Sequence, residues 1–209
     1  MDVQVIVLNG GSSAGKSTLA TLLQEQLAGT WLTLGVDDLI HALSHGPTDT
    51  TAGGTLEFRS DGSIVVAEAF RRAERAWFEG LGAMARAGTG VVVDEVFLDG
   101  GQGQGRLAAA LQGIAVVWVG VRCDPDVAEA REIQRDDRFR GLARDQAARV
   151  HEGVRYDLIV DTTTSTAAQC AAVVMAGLAG TQAREASGSG AGRVPDLRHA
   201  PEGDEAASR

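Results

Sequence analysis

The sequence predicts an α/β fold, a parallel sheet with helices packed on both of its faces. Three observations carry this. Short apolar runs of the kind that suit strands buried on both sides recur along the chain. Segments with helical spacing separate them, so successive strands are joined by crossovers and lie parallel. A glycine-rich turn, "NGGSSAGKS", links the first apolar run to the first helical segment.

Val3 to Leu8 is the first strand. In the segment Thr18 to Leu27, Leu19, Leu22, Leu23 and Leu27 share one helix face. Trp31 to Val36 is the second strand, closed by Asp37-Asp38 and followed by a short helix through Leu39, Ile40 and Leu43. Residues 44–63 are rich in Gly, Pro, Ser, Thr and Asp; they predict an irregular excursion with a small hairpin around Asp61-Gly62. Val66 to Ala87 is a long amphipathic helix stopped by Gly88. "GVVVDEVFLDG" supplies a strand at Val91-Val92-Val93, and Leu107 to Leu111 a short helical piece. "IAVVWVGV" is a further strand, and "CDPDVAEAREIQRDD" a helix with Pro125 near its start. Ala143 to Val150 is helical, Tyr156 to Val160 is the last strand, and Ala167 to Ala179 a helix ending at Gly180. Five parallel strands result.

With 209 residues the chain can bury one α/β core of ordinary size. Residues 1–180 form that domain. Residues 181–209 change to Gly, Ser, Ala, Pro and charge, with Val194 and Leu197 isolated, and are expected to be a flexible tail. Basic residues number 19 against 28 acidic, a formal charge of -9, which argues against a nucleic-acid partner. It does not argue against a phosphate ligand held locally by backbone N–H groups and one lysine. Cys123 and Cys170 are the only cysteines, so neither a disulfide framework nor a structural zinc site is expected. No stretch approaches 18 consecutive apolar residues and no leader precedes the first strand, so the chain is expected to be cytoplasmic and to have no membrane partner. A homo-oligomer is compatible with this composition, which does not locate its surface.

"GGSSAGKS" fits the pattern G-x-x-x-x-G-K-[ST] in the position that gives it meaning, after a strand and before a helix. Gly10, Gly11, Ser12, Ser13, Ala14 and Gly15 can wrap around phosphates. Lys16 is expected to reach the β and γ phosphates of ATP, and Ser17 to sit on Mg²⁺, with Thr18 a less direct phosphate contact. The pattern implies a P-loop kinase-like three-layer sandwich with a small helical lid, and excludes a dinucleotide-binding turn, which has no such lysine.

In an open α/β sheet the reacting groups gather beyond the carboxyl ends of the strands. Asp37 stands there after the second strand and is the expected general base for an acceptor hydroxyl. Asp38 either contributes to the acceptor pocket or caps the following helix. His41, one turn on, is a further candidate for that pocket. Asp94 is expected to serve the magnesium ion, and Glu95, alternating to the other face, to bind substrate or meet solvent. In "REIQRDDRFRGLARDQ", Arg131 and Arg135 are four apart on one helix face, and Arg135 and Arg138 are best placed to reach the transferring phosphoryl group.

These segments resemble the chloramphenicol phosphotransferase family, P-loop kinases of antibiotic-producing actinobacteria. The resemblance rests on "VLNGGSSAGKS", "GVDDLI", "WFEGLGAMARAG", "VVVDEVFLDG", "VWVGVRCD", "VAEAREIQRDDR" and "QAARVHEGVRYDLIVDTT", and runs from residue 3 to about 178. It implies ATP and Mg²⁺ as cofactors, a hydroxyl of a small antibiotic as acceptor, and Asp37 as the group that activates it. It implies phosphate contacts at Lys16 and Ser17 and lid arginines between Arg131 and Arg138. The family holds its ligand partly with the segments after the second and third strands, which implies substrate contacts near Asp38, His41, Glu95 and Phe97. The chain departs from the chloramphenicol enzyme at Asp38 and His41, where that enzyme has serine and glutamate. Two other readings stay open: a kinase of a nucleotide, a shikimate-like metabolite or a polynucleotide 5'-hydroxyl, and a non-enzymatic nucleotide-dependent switch.

Overall fold

The structure, a computed structural model, describes residues 3–45, 53–58, 64–134 and 141–186. In chain order its elements are β1 (Val5–Asn9), α1 (Lys16–Gln26), β2 (Trp31–Gly35), α2 (Val36–Leu43), β3 (Leu56–Phe58), β4 (Ile64–Val66), α3 (Glu68–Arg86), β5 (Gly90–Glu95), α4 (Gly101–Ala110), β6 (Val116–Arg122), α5 (Pro125–Ile133), α6 (Leu142–Arg149), β7 (Leu158–Asp161) and α7 (Ala167–Ala186). Five strands form the expected parallel sheet in the order β2-β5-β1-β6-β7.

The apolar runs lack polar alternation because both faces of the sheet are covered, yet the two-residue period still sorts them. Val5, Val7, Val91 and Val93 pack with Phe78, Leu81 and Leu107 against α3 and α4. Ile6, Leu8, Val92, Val119 and Val121 pack with Leu19, Leu23, Cys170 and Val174 against α1 and α7. Each of these buried side chains contributes up to about 1.5–3 kcal/mol, which makes β1, central and covered on both sides, the rigid mount for the loop that follows it.

One expectation is met and three are corrected. The small hairpin expected in the excursion is present: β3 and β4 pair antiparallel, and Leu56, Ile64 and Val66 join Leu39, Phe70 and Trp77 in a third, smaller core. Asp61-Gly62, the expected turn, lies outside the described residues. Val66 pairs with Leu56 in β4, so α3 starts at Glu68 and not at Val66. Helix α4 starts at Gly101, well before Leu107, because Gly101 N donates to Glu152 O (2.9 Å) and a Cβ on Gly100 would lie 2.1 Å from that same carbonyl. Tertiary contact here overrides a poor local propensity. Helix α7 runs through Gly180 to Ala186, since one glycine costs a helix only about 1 kcal/mol. The boundary expected at 180 therefore falls inside a helix, and residues 187–209 of the expected tail lie outside the described residues.

The arginine stretch expected to form the lid begins at the end of α5 and reaches into α6. Arg135 and Arg138 lie outside the described residues. What flanks them is joined by Glu132, a buried carboxylate at the end of α5. It accepts hydrogen bonds from Gly141 N (2.7 Å) and Ala143 N (2.9 Å) at the start of α6. A carboxylate suits a helix N-terminus both as acceptor and as charge. On the outside, Arg144 of α6 pairs with Asp126 and Glu129 of α5. Glu132→Ala is expected to lower stability by roughly 2–4 kcal/mol, the range for orphaning buried donors that met a charged acceptor, read as a fall in the urea midpoint. Glu132→Gln, which keeps an acceptor oxygen, is expected to lose less.

Candidate active site

The glycine-rich turn leaves β1 with no room on the side of β6. A Cβ on Gly10 would lie 2.4 Å from the Val121 carbonyl of β6. Opposite, a Cβ on Gly35 would lie 2.4 Å from the Asp94 carbonyl, so glycine lets the end of β2 close onto the end of β5. Lys16, 7% exposed, folds back so that Nζ donates to Gly11 O at 3.1 Å and lies 3.6 Å from Asp94 Oδ1. Ser17 Oγ donates to Asp94 Oδ2 at 2.7 Å. The lysine and serine of the glycine-rich pattern thus both meet Asp94.

Three features of this loop fit a phosphate chain. Helix α1 starts at Lys16 with no side-chain cap and no acidic residue in its first turn, so its leading N–H groups are free of an intramolecular anion. The hydroxyls of Ser12 and Ser13 are buried without a hydrogen-bond partner. Ser13 holds φ at 58°, and it alone among the described non-glycine residues has positive φ. Among the described residues no group of three or more His, Cys, Asp or Glu side chains could hold a metal. The Ser17–Asp94 pair is nevertheless the kind of sparse protein contribution that suits Mg²⁺, which keeps waters and phosphate oxygens as its other ligands.

An open cavity beside the loop is lined by Ser13, Lys16, Ser17, Thr33, Asp37, Asp38, Asp94 and Val96, among others. Asp37 and Asp38 are exposed in the first turn of α2, which already starts at Val36, the residue expected to end the second strand. Asp38 acts locally, since its Oδ2 accepts from Gly35 N at 2.7 Å and closes the helix start. Asp37 faces the same cavity as Lys16 and Asp94. His41, one turn further along α2, is exposed and lies outside the cavity wall.

Two expected substrate contacts are corrected. Phe97 is 2% exposed in the α3/α4 core, with its ring 6.3 Å from that of Trp118, so packing claims it. Glu95 neither meets solvent nor lines the cavity. It is 4% exposed, its Oε1 accepts from Val96 N (2.9 Å), and burial pushes its pKa up to about 8. Arg131 is the third correction. Instead of standing free over the loop, its guanidinium donates to Thr162 O (2.7 Å) and Thr162 Oγ1 (3.2 Å). Thr162 in turn donates to Ala14 O at 2.8 Å, so Arg131 supports the loop from behind through a buried threonine.

Sequence reasoning missed the residues that brace the loop. Asn9 Nδ2 donates to Val150 O (2.8 Å) and to Tyr156 Oη (2.6 Å), and Asn9 Oδ1 accepts from Phe97 N (2.9 Å). Ser12 N donates to Gln146 Oε1 of α6 at 2.8 Å. With Asn9 donating to its oxygen, the Tyr156 O–H points at His151 Nδ1, 2.6 Å away, which requires a neutral imidazole. Burial, with Arg122 and Lys16 adding to it, lowers the His151 pKa to about 4. Burial raises that of Tyr156 to about 12. A polar residue directly before the glycine-rich turn, and the Tyr and His of "VHEGVRYD", were the available signals.

Residues 3–179 match the family described as chloramphenicol phosphotransferase-like protein, and the chain belongs to that family. A Mycobacterium tuberculosis protein carrying a provisional O-phosphotransferase name is 30% identical over 176 residues, 78% of this chain and 76% of that one. Among solved structures, a gluconokinase from Sinorhizobium meliloti superposes with a TM-score of 0.61 at 17% identity, covering 90% of this chain and 97% of that one. A shikimate kinase from Acinetobacter baumannii, in complex with shikimate, gives 0.57 at 15% identity, covering 86% and 95%. At such identities the structures establish the P-loop kinase fold.

The His151 geometry has a pH consequence. Its folded pKa lies below the usual 6.5, so between pH 6.5 and about 4 the unfolded chain binds more protons. The stability this histidine contributes is therefore complete above pH 6.5 and is lost as pH falls toward 4. His151→Gln keeps an acceptor for Tyr156 and removes the titration. Denaturant midpoints measured across that window are expected to fall less steeply with acid in the variant than in the parent chain.

Proposed function

We propose that this member of the chloramphenicol phosphotransferase-like family is an ATP-dependent O-phosphotransferase acting on a hydroxyl of a small molecule of the antibiotic or secondary-metabolite class. One observation carries the reading: Asp37 faces the same cavity as Lys16, Ser17 and Asp94, so a base for an alcohol and a phosphate grip share one space. Mg-ATP, when bound, supplies the phosphoryl group and the cation that offsets its charge.

The residues divide the work. Lys16 exchanges its contact with the Gly11 carbonyl for phosphate oxygens, while the uncapped start of α1 offers N–H donors. Ser17 and Asp94 hold the metal side, already paired at 2.7 Å. Asp37 orients the acceptor hydroxyl and takes its proton as the new O–P bond forms. Asp38 serves mainly to hold the start of α2 through Gly35, which aims Asp37. The acceptor enters between α2 and the end of β5, with Thr33 and Val96 in the wall. The acidic balance of the chain favours a small acceptor over a polynucleotide. Among the described residues no helix is long and apolar enough to cross a membrane.

Two variants test the assignment. Lys16→Ala is expected to weaken ATP binding measured by calorimetry and to abolish transfer. Asp37→Asn is expected to bind ATP normally while kcat falls by roughly 10²–10⁴, the range for loss of a positioned general base. The acceptor is found by incubating the chain and Mg-ATP with a panel of hydroxylated antibiotics and metabolites and reading phosphorylated product by mass. Near-normal turnover by the Asp37→Asn enzyme removes Asp37 from the mechanism.

A further inference from the structure

Lys16 is the only lysine in the chain, and the place where its ammonium rests is set from a different helix. Nζ donates to the Gly11 carbonyl at 3.1 Å and lies 3.6 Å from Asp94 Oδ1, an ion pair that stops short of a hydrogen bond. A lysine–carboxylate bond closes to about 2.7–2.9 Å when nothing holds the partners apart. Here the neutral carbonyl holds the lysine.

That carbonyl shares a peptide with Ser12 N–H. No cis peptide bond occurs among the described residues, so the two groups point in opposite directions from one plane. On the far side of the plane, Ser12 N donates to Gln146 Oε1 of α6 at 2.8 Å. Gln146 is 4% exposed, and the contact is close. A Cβ on Gly11 would lie 3.3 Å from Gln146 Cβ and from Ala147 N. Helix α6 is itself anchored, since Asn9 Nδ2 donates to Val150 O and Glu132 accepts from Ala143 N. One bond from a fixed helix therefore decides which way the Gly11 carbonyl faces. The residue type suits the place. An amide oxygen accepts the Ser12 N–H without bringing a negative charge beside a phosphate site, as a glutamate would.

We infer, resting on the nucleotide reading above, that Gln146 is a positioning residue: by fixing the Gly11–Ser12 peptide it docks Lys16 on a neutral carbonyl and keeps it from closing onto Asp94. An ammonium leaves a carbonyl for phosphate more readily than it leaves a carboxylate, where two full charges attract. Asp94 meanwhile stays available on the metal side. With the Gln146 bond gone the peptide is free to turn, the dock is lost, and Lys16 and Asp94 neutralise each other.

Gln146→Met keeps the length of the side chain and removes the acceptor. The Kd for Mg-ATP, read by calorimetry, is expected to rise about tenfold, the worth of one hydrogen bond. In an Asp94→Asn chain at raised Mg²⁺ no carboxylate captures the ammonium. There the same substitution is expected to change Kd by less than about twofold. The single lysine also makes the dock readable without nucleotide. In a chain carrying isotope-labelled lysine, the side chain gives one amine NMR signal. It is expected to shift on Gln146→Met and to hold its place on Arg149→Ala, a change at an exposed position of the same helix. Gln146→Ala, which opens the same bond with less bulk, is expected to act alike. An unmoved lysine signal in both Gln146 variants overturns the inference. So does an equal loss of Mg-ATP affinity in the parent and Asp94→Asn chains, which marks a residue that only packs. A parent chain that binds no Mg-ATP overturns the nucleotide reading, and the role in binding with it, whatever the lysine signal shows.

Discussion

Asn9 closes the central strand with a side chain that makes three hydrogen bonds to two separate connections. Its amide nitrogen donates to the Val150 carbonyl and the Tyr156 hydroxyl, and its amide oxygen accepts from Phe97 N, all within 2.6–2.9 Å. One buried amide thereby ties the end of β1 to the connection after β5 and to the connection between α6 and β7. Everything that grips phosphate begins at the next residue, Gly10. Gln146 and Thr162 extend the same bracing around the loop, one at Ser12 N and the other at Ala14 O. Such a fully paired polar cluster defines a single geometry, where an apolar plug of the same volume would allow several. The loop then meets its ligand already shaped.

The carboxylates around the cavity show how environment sorts residues of one chemistry. Asp94 is committed to Ser17 and Lys16, Asp38 to Gly35 N, and Asp37 faces the cavity from an exposed helix turn. Glu95, next in sequence to Asp94, is buried and its pKa is raised, first by burial and then by Glu74 and Asp94. Glu74 belongs to a closed ionic set in which Arg71 and Arg106 both bridge it to Asp99, joining α3 to the start of α4. That set is partly exposed, and its charges answer one another without drawing on the cavity. Side by side in the sequence, these acids read alike; the fold gives them different work.

The sheet was legible because its strands are buried on both faces, and Val91-Val92-Val93 could be little else. The glycine-rich turn was legible because it sits between such a strand and a leucine-faced helix. Contacts between distant residues were not legible. Arg131 looked like a lid arginine from its place in a charge run, but its partner Thr162 lies 31 positions away and nothing local announces it. Phe97 looked like a pocket residue from its place beyond a strand end, whereas its burial depends on Trp118 and on α4. The start of α4 was hidden because Gly-Gln-Gly-Gln-Gly is a poor helix former that only the 152–153 backbone makes helical. The small core of α2 and the β3–β4 hairpin was hidden by the composition of the segment that leads into it.

That small core has a consequence for how the two sides of the cavity are mounted. Leu39, Leu56 and Phe70 form a cluster of their own, joined to the sheet core chiefly through Trp77. The nucleotide grip hangs from the sheet, and the helix bearing Asp37 hangs from this separate cluster. Substitutions within this small core therefore act on the seating of α2 and leave the strands that carry the phosphate loop as they are. The architecture works as a fixed chuck with a separately mounted jaw.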